Sequence, residues 1–165
     1  MRRTGTFVFF VGAVSALLAA GMLSGCPRSD SSAGVAIDPK AREAVLRFGE
    51  AIRAGDWDAA YGMTTRHFRE KSTRDGLKAR WDRVLQKLGA DFKPADVACV
   101  AGELPKDPVD ARERYEINTE PPMDTWRAWA TAVLRDGKRA AEVRLLVVDW
   151  EGAMRIAYAR FEPKG

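Results

Sequence analysis

Apolar residues in this chain recur every three to four positions as far as Lys93-Pro94 and every two positions beyond it. That change of period constrains the fold more than any other feature of the sequence, because it sets a helical half before a strand half. Asp38-Pro39 offers a capping acceptor and then proline at the first helical position. Ala41, Ala44, Val45, Phe48 and Ile52 follow as one stripe, and Gly55 closes it. Asp56 caps a short second helix, WDAAYGM, with Trp57, Ala60 and Tyr61 on one side. Thr73 caps a third, which carries Leu77, Trp81, Val84, Leu85 and Leu88 and ends at Gly89. The intervening TTRHFREKS reads as a polar connection, apart from Phe68.

Five strands are expected after residue 94. The first covers 95–104. In 109–119 the odd positions include Val109, Ala111, Tyr115 and Ile117, and the even ones are Asp110, Arg112, Arg114, Glu116 and Asn118. That alternation describes a strand with one wet face. Strands over 126–135, 139–149 and 154–161 follow, with Asp136-Gly137 and Glu151-Gly152 as tight turns between them. Helices first and then an antiparallel meander make an α+β fold, not an alternating α/β one.

The first 25 residues are expected to be an export signal, not fold. Arg2 and Arg3 precede an uncharged, mostly apolar run, FVFFVGAVSALLAAGM, which is short of the about 20 residues a membrane span needs. The run ends in Leu23, Ser24, Gly25 and Cys26, and LSGC resembles the bacterial lipobox. The resemblance implies a diacylglyceryl group on the Cys26 sulfur and cleavage between Gly25 and Cys26. Acyl chains anchor a protein without a spanning helix, since each buried methylene contributes about 0.8 kcal/mol. Pro27 leaves inner and outer membrane both open. Residues 26–37, rich in serine and other small or polar side chains, read as a flexible tether, and 38–165 as one domain.

The same removal settles the charge. The whole chain has 27 basic and 23 acidic residues, for a net charge of +4. Without Arg2 and Arg3 the count is 25 against 23, a balanced surface that gives no argument for a nucleic-acid partner. One histidine and two cysteines do not make a conventional His/Cys metal cluster, and no cofactor is implied. With Cys26 acylated, Cys99 has no intrachain partner for a disulfide.

The stretch AVLRFGEAIRAGDWDAAYGMTTRHFREKSTRDGLKARWDRVLQKLG resembles the opening of nuclear transport factor 2-like domains. The likeness lies in a first helix ending in AGDWDAAY, a short second helix, and a leucine and tryptophan in a third helix that ends at glycine. It covers residues 41–89. The resemblance implies a curved antiparallel sheet wrapped around the helices, the cystatin-like cone, with an apolar cavity at its open end. Relatives bind small ligands there, act as isomerases or dehydratases, or mediate protein association, including homodimers. Fold alone does not choose among them.

Catalysis of the isomerase type needs a carboxylate in an apolar cavity and a hydroxyl to hold the oxyanion. Glu113 lies between Ala111 and Tyr115, and Asp149 follows Val143, Leu145 and Val147. If those faces are concave, Glu113 and Tyr115 form an acid/base pair; if not, both carboxylates sit at strand ends in water. His67, flanked by Arg66, Phe68 and Arg69, reads as a surface histidine. Ser72 and Thr65 lie in no nucleophile-elbow pattern, and there is no glycine-rich phosphate loop. Of the five tryptophans, Trp81 fits a core stripe, while Trp126 and Trp129 fall on opposite faces of one strand, so that at least one of them faces outward or covers a partner. Arg112, Arg114, Arg144 and Arg155 fall among acids on wet faces and serve solubility.

Two functions of different class follow. The first is a noncatalytic, membrane-anchored envelope lipoprotein whose cone binds a partner protein or a small apolar ligand. The alternative is a small isomerase or dehydratase that uses a carboxylate in the cone. Both share the anchor, so Cys26→Ser is expected to abolish incorporation of labelled palmitate and to leave the precursor uncleaved. A Cys26→Ser chain that still takes up the label would overturn the lipobox reading.

Overall fold

A computed structural model describes residues 35–117 and 121–164. The signal segment, the lipobox residues Leu23, Ser24, Gly25 and Cys26, and the tether up to residue 34 lie outside the described residues. Helix α1 (Pro39–Ala54) starts at the expected cap, where the Asp38 carboxylate accepts the Lys40 N–H at 2.7 Å. It ends at Gly55, whose φ of 71° is the left-handed conformation that glycine tolerates best. Helices α2 (Trp57–Gly62) and α4 (Arg74–Leu88) are capped by Asp56 and Thr73, as their sequences indicate.

Between them the expected polar connection is a helix, α3 (Arg66–Lys71). Thr65 Oγ1 accepts the Phe68 N–H at 3.1 Å, and Arg66 pairs with Glu70 one turn on at 3.0 Å. Its single buried residue, Phe68, anchors it to the core.

Four strands form one antiparallel sheet in the order β1 (Asp96–Gly102), β2 (Trp126–Asp136), β3 (Arg139–Trp150), β4 (Ala153–Lys164). The fold is therefore α+β, with helices packed against an antiparallel sheet. The strand expected over 109–119 is instead helix α5 (Pro108–Tyr115). Asp107-Pro108 repeats the Asp38-Pro39 start signal, and the Asp107 carboxylate accepts the Val109 and Asp110 N–H groups, both at 2.9 Å. One buried residue, Ala111, suffices to seat this short helix, so alternation with charged neighbours is compatible with it.

One face of the sheet is covered by the helices and the other in part. On one, Ala130, Ala132, Leu134, Val143, Leu145 and Val147 meet Phe48, Ile52, Leu77 and Trp81 from the helices. This face is filled by helix side chains where the resemblance implied an open apolar cavity. On the other, Trp126, Trp129, Leu146 and Val148 pack beneath Ala111 and Ile117 from the β1–β2 connection. Trp126 and Trp129 thus share a face, contrary to expectation. The register shift between Trp126 and Ala128 inserts Arg127 as an extra residue and turns both indoles the same way. Trp129 also closes over its strand partner Gly102, where a Cβ would stand 2.6 Å from Trp129 Cδ1.

The first hairpin turns at Gly137-Lys138, one residue later than expected, because Asp136 still pairs with Arg139 in the ladder. The second turns at Glu151-Gly152, with φ of 55° and 77°. Two positive φ angles define a type I′ turn, in which asparagine is far better than glutamate at the first position. Glu151→Asn is expected to stabilise the domain by about 1 kcal/mol and to raise Tm by about 3 °C. A thermal melt that is unchanged or lower would contradict the turn assignment.

Candidate functional site

The residues singled out for acid/base chemistry do not come together. Glu113 lies on the exposed side of α5, not on a sheet face. Tyr115 is two residues on, and residues so spaced do not face each other on a helix. Its ring packs edge-on against Trp129 at 4.9 Å between centroids, and its hydroxyl donates to Glu103 O at 3.1 Å. Asp149 is 41% exposed near the end of β3, with its carboxylate 3.6 Å from the Arg127 guanidinium. The two carboxylates thus meet solvent and an opposite charge respectively. Arg144 is paired with Glu162 at 2.9 Å, and Arg155 donates to Gly62 O.

His67 is only partly exposed, not a free surface residue. Its Nδ1 is 3.6 Å from Glu70 Oε2, and its ring lines a depression between α3 and β4. Cys99 is half-buried on the helix-facing side of β1. Burial pushes its thiol above the usual range, and Arg42 opposes that shift.

A different site is formed where α4 runs beside the outer edge of β4. Arg80, Arg83 and Lys87 follow one another at spacings of three and four, so they share one face of the helix. That face borders a groove of about 530 Å³, whose floor is the segment of β4 from Tyr158 to Pro163. The far wall is Glu116, held in the left-handed conformation (φ 57°) as it leaves α5. Past Arg80 and Glu116 lies the depression that His67 lines, about 180 Å³, with Phe68, Ile117, Ala157 and Ala159 as its apolar lining and Lys71 and Ser72 at its polar side.

The charges in the groove are fixed to different degrees. Arg80 donates to Ala159 O at 3.2 Å and to Ser72 Oγ at 3.3 Å, with its guanidinium 5.9 Å from the Phe68 ring centroid. Arg160 lies between Glu116 and Glu162, at 2.8 and 2.9 Å, which raises its already high pKa. Burial pushes the Tyr158 phenol up, so it remains protonated at neutral pH. The two acids of α4 are engaged elsewhere, Asp75 with Arg74 and Asp82 with Lys78. Arg83 and Lys87, both exposed, have no ion pair among the described residues.

Nothing in the local sequence marks this groove, because α4 and β4 are about eighty residues apart in the chain. Among the described residues, no helix is long and apolar enough to cross a membrane. No family model matches this chain, and no curated protein or solved structure matches it either.

The Cys99 environment gives a measurable consequence. With Cys26→Ser leaving one thiol, the alkylation rate of Cys99 is expected to rise with a midpoint above the ordinary cysteine value of about 8.5. The native state favours the neutral thiol, so stability falls as pH rises from the unfolded thiol's pKa through the raised native one. A midpoint at or below about 8.5 would contradict the burial of this thiol.

Proposed function

We propose that this chain is a noncatalytic envelope lipoprotein, a nuclear transport factor 2-like domain anchored by lipid on Cys26, which works by binding at the groove between α4 and β4. The observation that carries the reading is the convergence of Arg80, Arg83, Lys87 and Arg160 from two distant elements on one concave surface. Its volume falls in the range that small-molecule sites occupy. The family assignment is supported by helices that precede the sheet and pack on one of its faces, and by irregularities in β2 and β4 of the kind that bend sheets. Anchoring is supported by the LSGC segment that follows an apolar run.

Binding is favoured over catalysis by the placement of the carboxylates. A general base needs the proton it abstracts within hydrogen-bond reach and a pKa shifted towards neutrality by its surroundings. Glu113 stands in solvent and Asp149 beside Arg127.

The test is complementation of a deletion strain at matched protein level. Glu113→Gln and Asp149→Asn are expected to restore function nearly fully, whereas the charge-reversed pair Arg83→Glu, Lys87→Glu is expected to fail while remaining folded. Loss of function in folded Glu113→Gln, with the reversed pair active, would overturn the reading in favour of a carboxylate-dependent enzyme.

A further inference from the structure

We propose that the groove takes a single amphiphile at a time, with an anionic phosphate or carboxylate head lodged among Arg80, Arg83 and Lys87 and an apolar body in the depression between Phe68 and Ile117. This rests on the groove being the binding site and names the chemistry it selects. The argument begins from the charge left over. α4 carries five cations and two acids, and both acids are held by Arg74 and Lys78. Arg83 and Lys87 therefore face the groove without an ion pair among the described residues, next to an Arg80 already oriented by Ala159 O and Ser72 Oγ. A preoriented guanidinium loses less conformational freedom when it meets an oxyanion, and charge-assisted hydrogen bonds are the strong ones.

The second half of the argument is the adjoining surface. The two depressions share Arg80, Glu116, Tyr158 and Ala159, so the cationic part leads directly into the one where apolar side chains line one side and His67, Lys71 and Ser72 the other. A bare anion would leave the half-buried Ala157 and the Tyr158 ring uncovered, and a neutral apolar molecule would leave the cations without a counter-charge. One molecule bearing both features satisfies each. A concave site also suits an isolated ligand better than a planar bilayer, which engages flat or convex faces.

The probe is hexyl phosphate, titrated calorimetrically into the full chain in phosphatidylcholine nanodiscs, with inorganic phosphate and hexanol as the two incomplete ligands. Each methylene that leaves water is worth about fourfold in affinity. Hexyl phosphate is therefore expected to bind at least about tenfold more tightly than inorganic phosphate and more tightly than hexanol. The neutralised pair Arg83→Gln, Lys87→Gln should weaken it by about tenfold or more, while Arg47→Gln, an exposed cation on α1, should leave it unchanged.

Equal affinity for hexyl phosphate and inorganic phosphate would overturn the amphiphile. Equal binding by the neutralised pair and the Arg47→Gln control would remove the head from this groove. Binding to vesicles containing phosphatidylglycerol without binding to hexyl phosphate would replace the single ligand with a membrane surface. Any of these results, obtained while the charge-reversed pair still fails to complement, rejects the ligand class and leaves the groove as the functional site.

Discussion

The depth to which α1 settles onto the sheet governs the rest of the molecule. Gly49 makes this approach feasible, since a Cβ there would stand 2.5 Å from Val97 Cγ1 and 3.2 Å from Ala132 Cβ. The sheet meets it with small side chains, Ala128, Ala130, Ala132 and Ala141, all buried. Phe48 and Ile52 then fill the space beside them, and Trp81 and Leu77 close the core from α4. Interiors packed in this way hold few voids larger than a water molecule. A related architecture with larger sheet residues or a shallower helix would open towards a cavity. Here the concave surfaces described lie at the perimeter instead.

The opposite face follows from the same strands. The bulge at Arg127 brings Trp126 and Trp129 onto one side, and two large indoles cannot be left in water without cost. The long β1–β2 connection covers them. Trp126 Nε1 donates to Pro121 O at 2.9 Å, Tyr115 lies against Trp129, and Trp129 lies against Tyr158 with 5.8 Å between centroids. Glu116 is carried to the edge of β4 by this cover and meets Arg160 there. A bulge in β2 thus fixes one wall of a groove on the far side of the sheet.

Sequence patterns were legible where an element buries several residues at a regular spacing. The caps of α1, α2 and α4, the stripe Leu77, Trp81, Val84, and the strands β2 to β4 are of that kind. Short elements lack such a record. α3 buries only Phe68 and α5 only Ala111, so neither shows a helical period, and the alternating charges of 109–119 imitate a strand. The Asp107-Pro108 start signal was present but competed with that alternation. Glu116 ends α5 in a left-handed conformation without the glycine that would announce it. The pairing of Glu113 with Tyr115 failed with the strand, since a period of two makes them neighbours and a helix separates them. The groove was illegible for another reason: a net charge of +2 over the domain conceals a local excess assembled from α4 and β4.

The exposed edge of β4 explains why such an excess is useful there. An open strand edge offers its backbone to any passing strand, and proteins that stay monodisperse block it. Near its start, Ile156 accepts the Thr65 N–H at 2.9 Å and donates to Met63 O at 3.0 Å, which occupies the edge with a piece of the same chain. Further along, Ala159 O is taken by Arg80. Four residues beyond, on the same alternation, Pro163 has no N–H to offer. The floor of the groove is therefore an edge closed to strand addition. An occupant of the groove has to be recognised by side chains, and among the described residues the groove's cations without an ion pair are the guanidinium of Arg83 and the ammonium of Lys87. Arg80 serves both purposes, sealing the edge with one nitrogen and helping to set the sign of the charge above it.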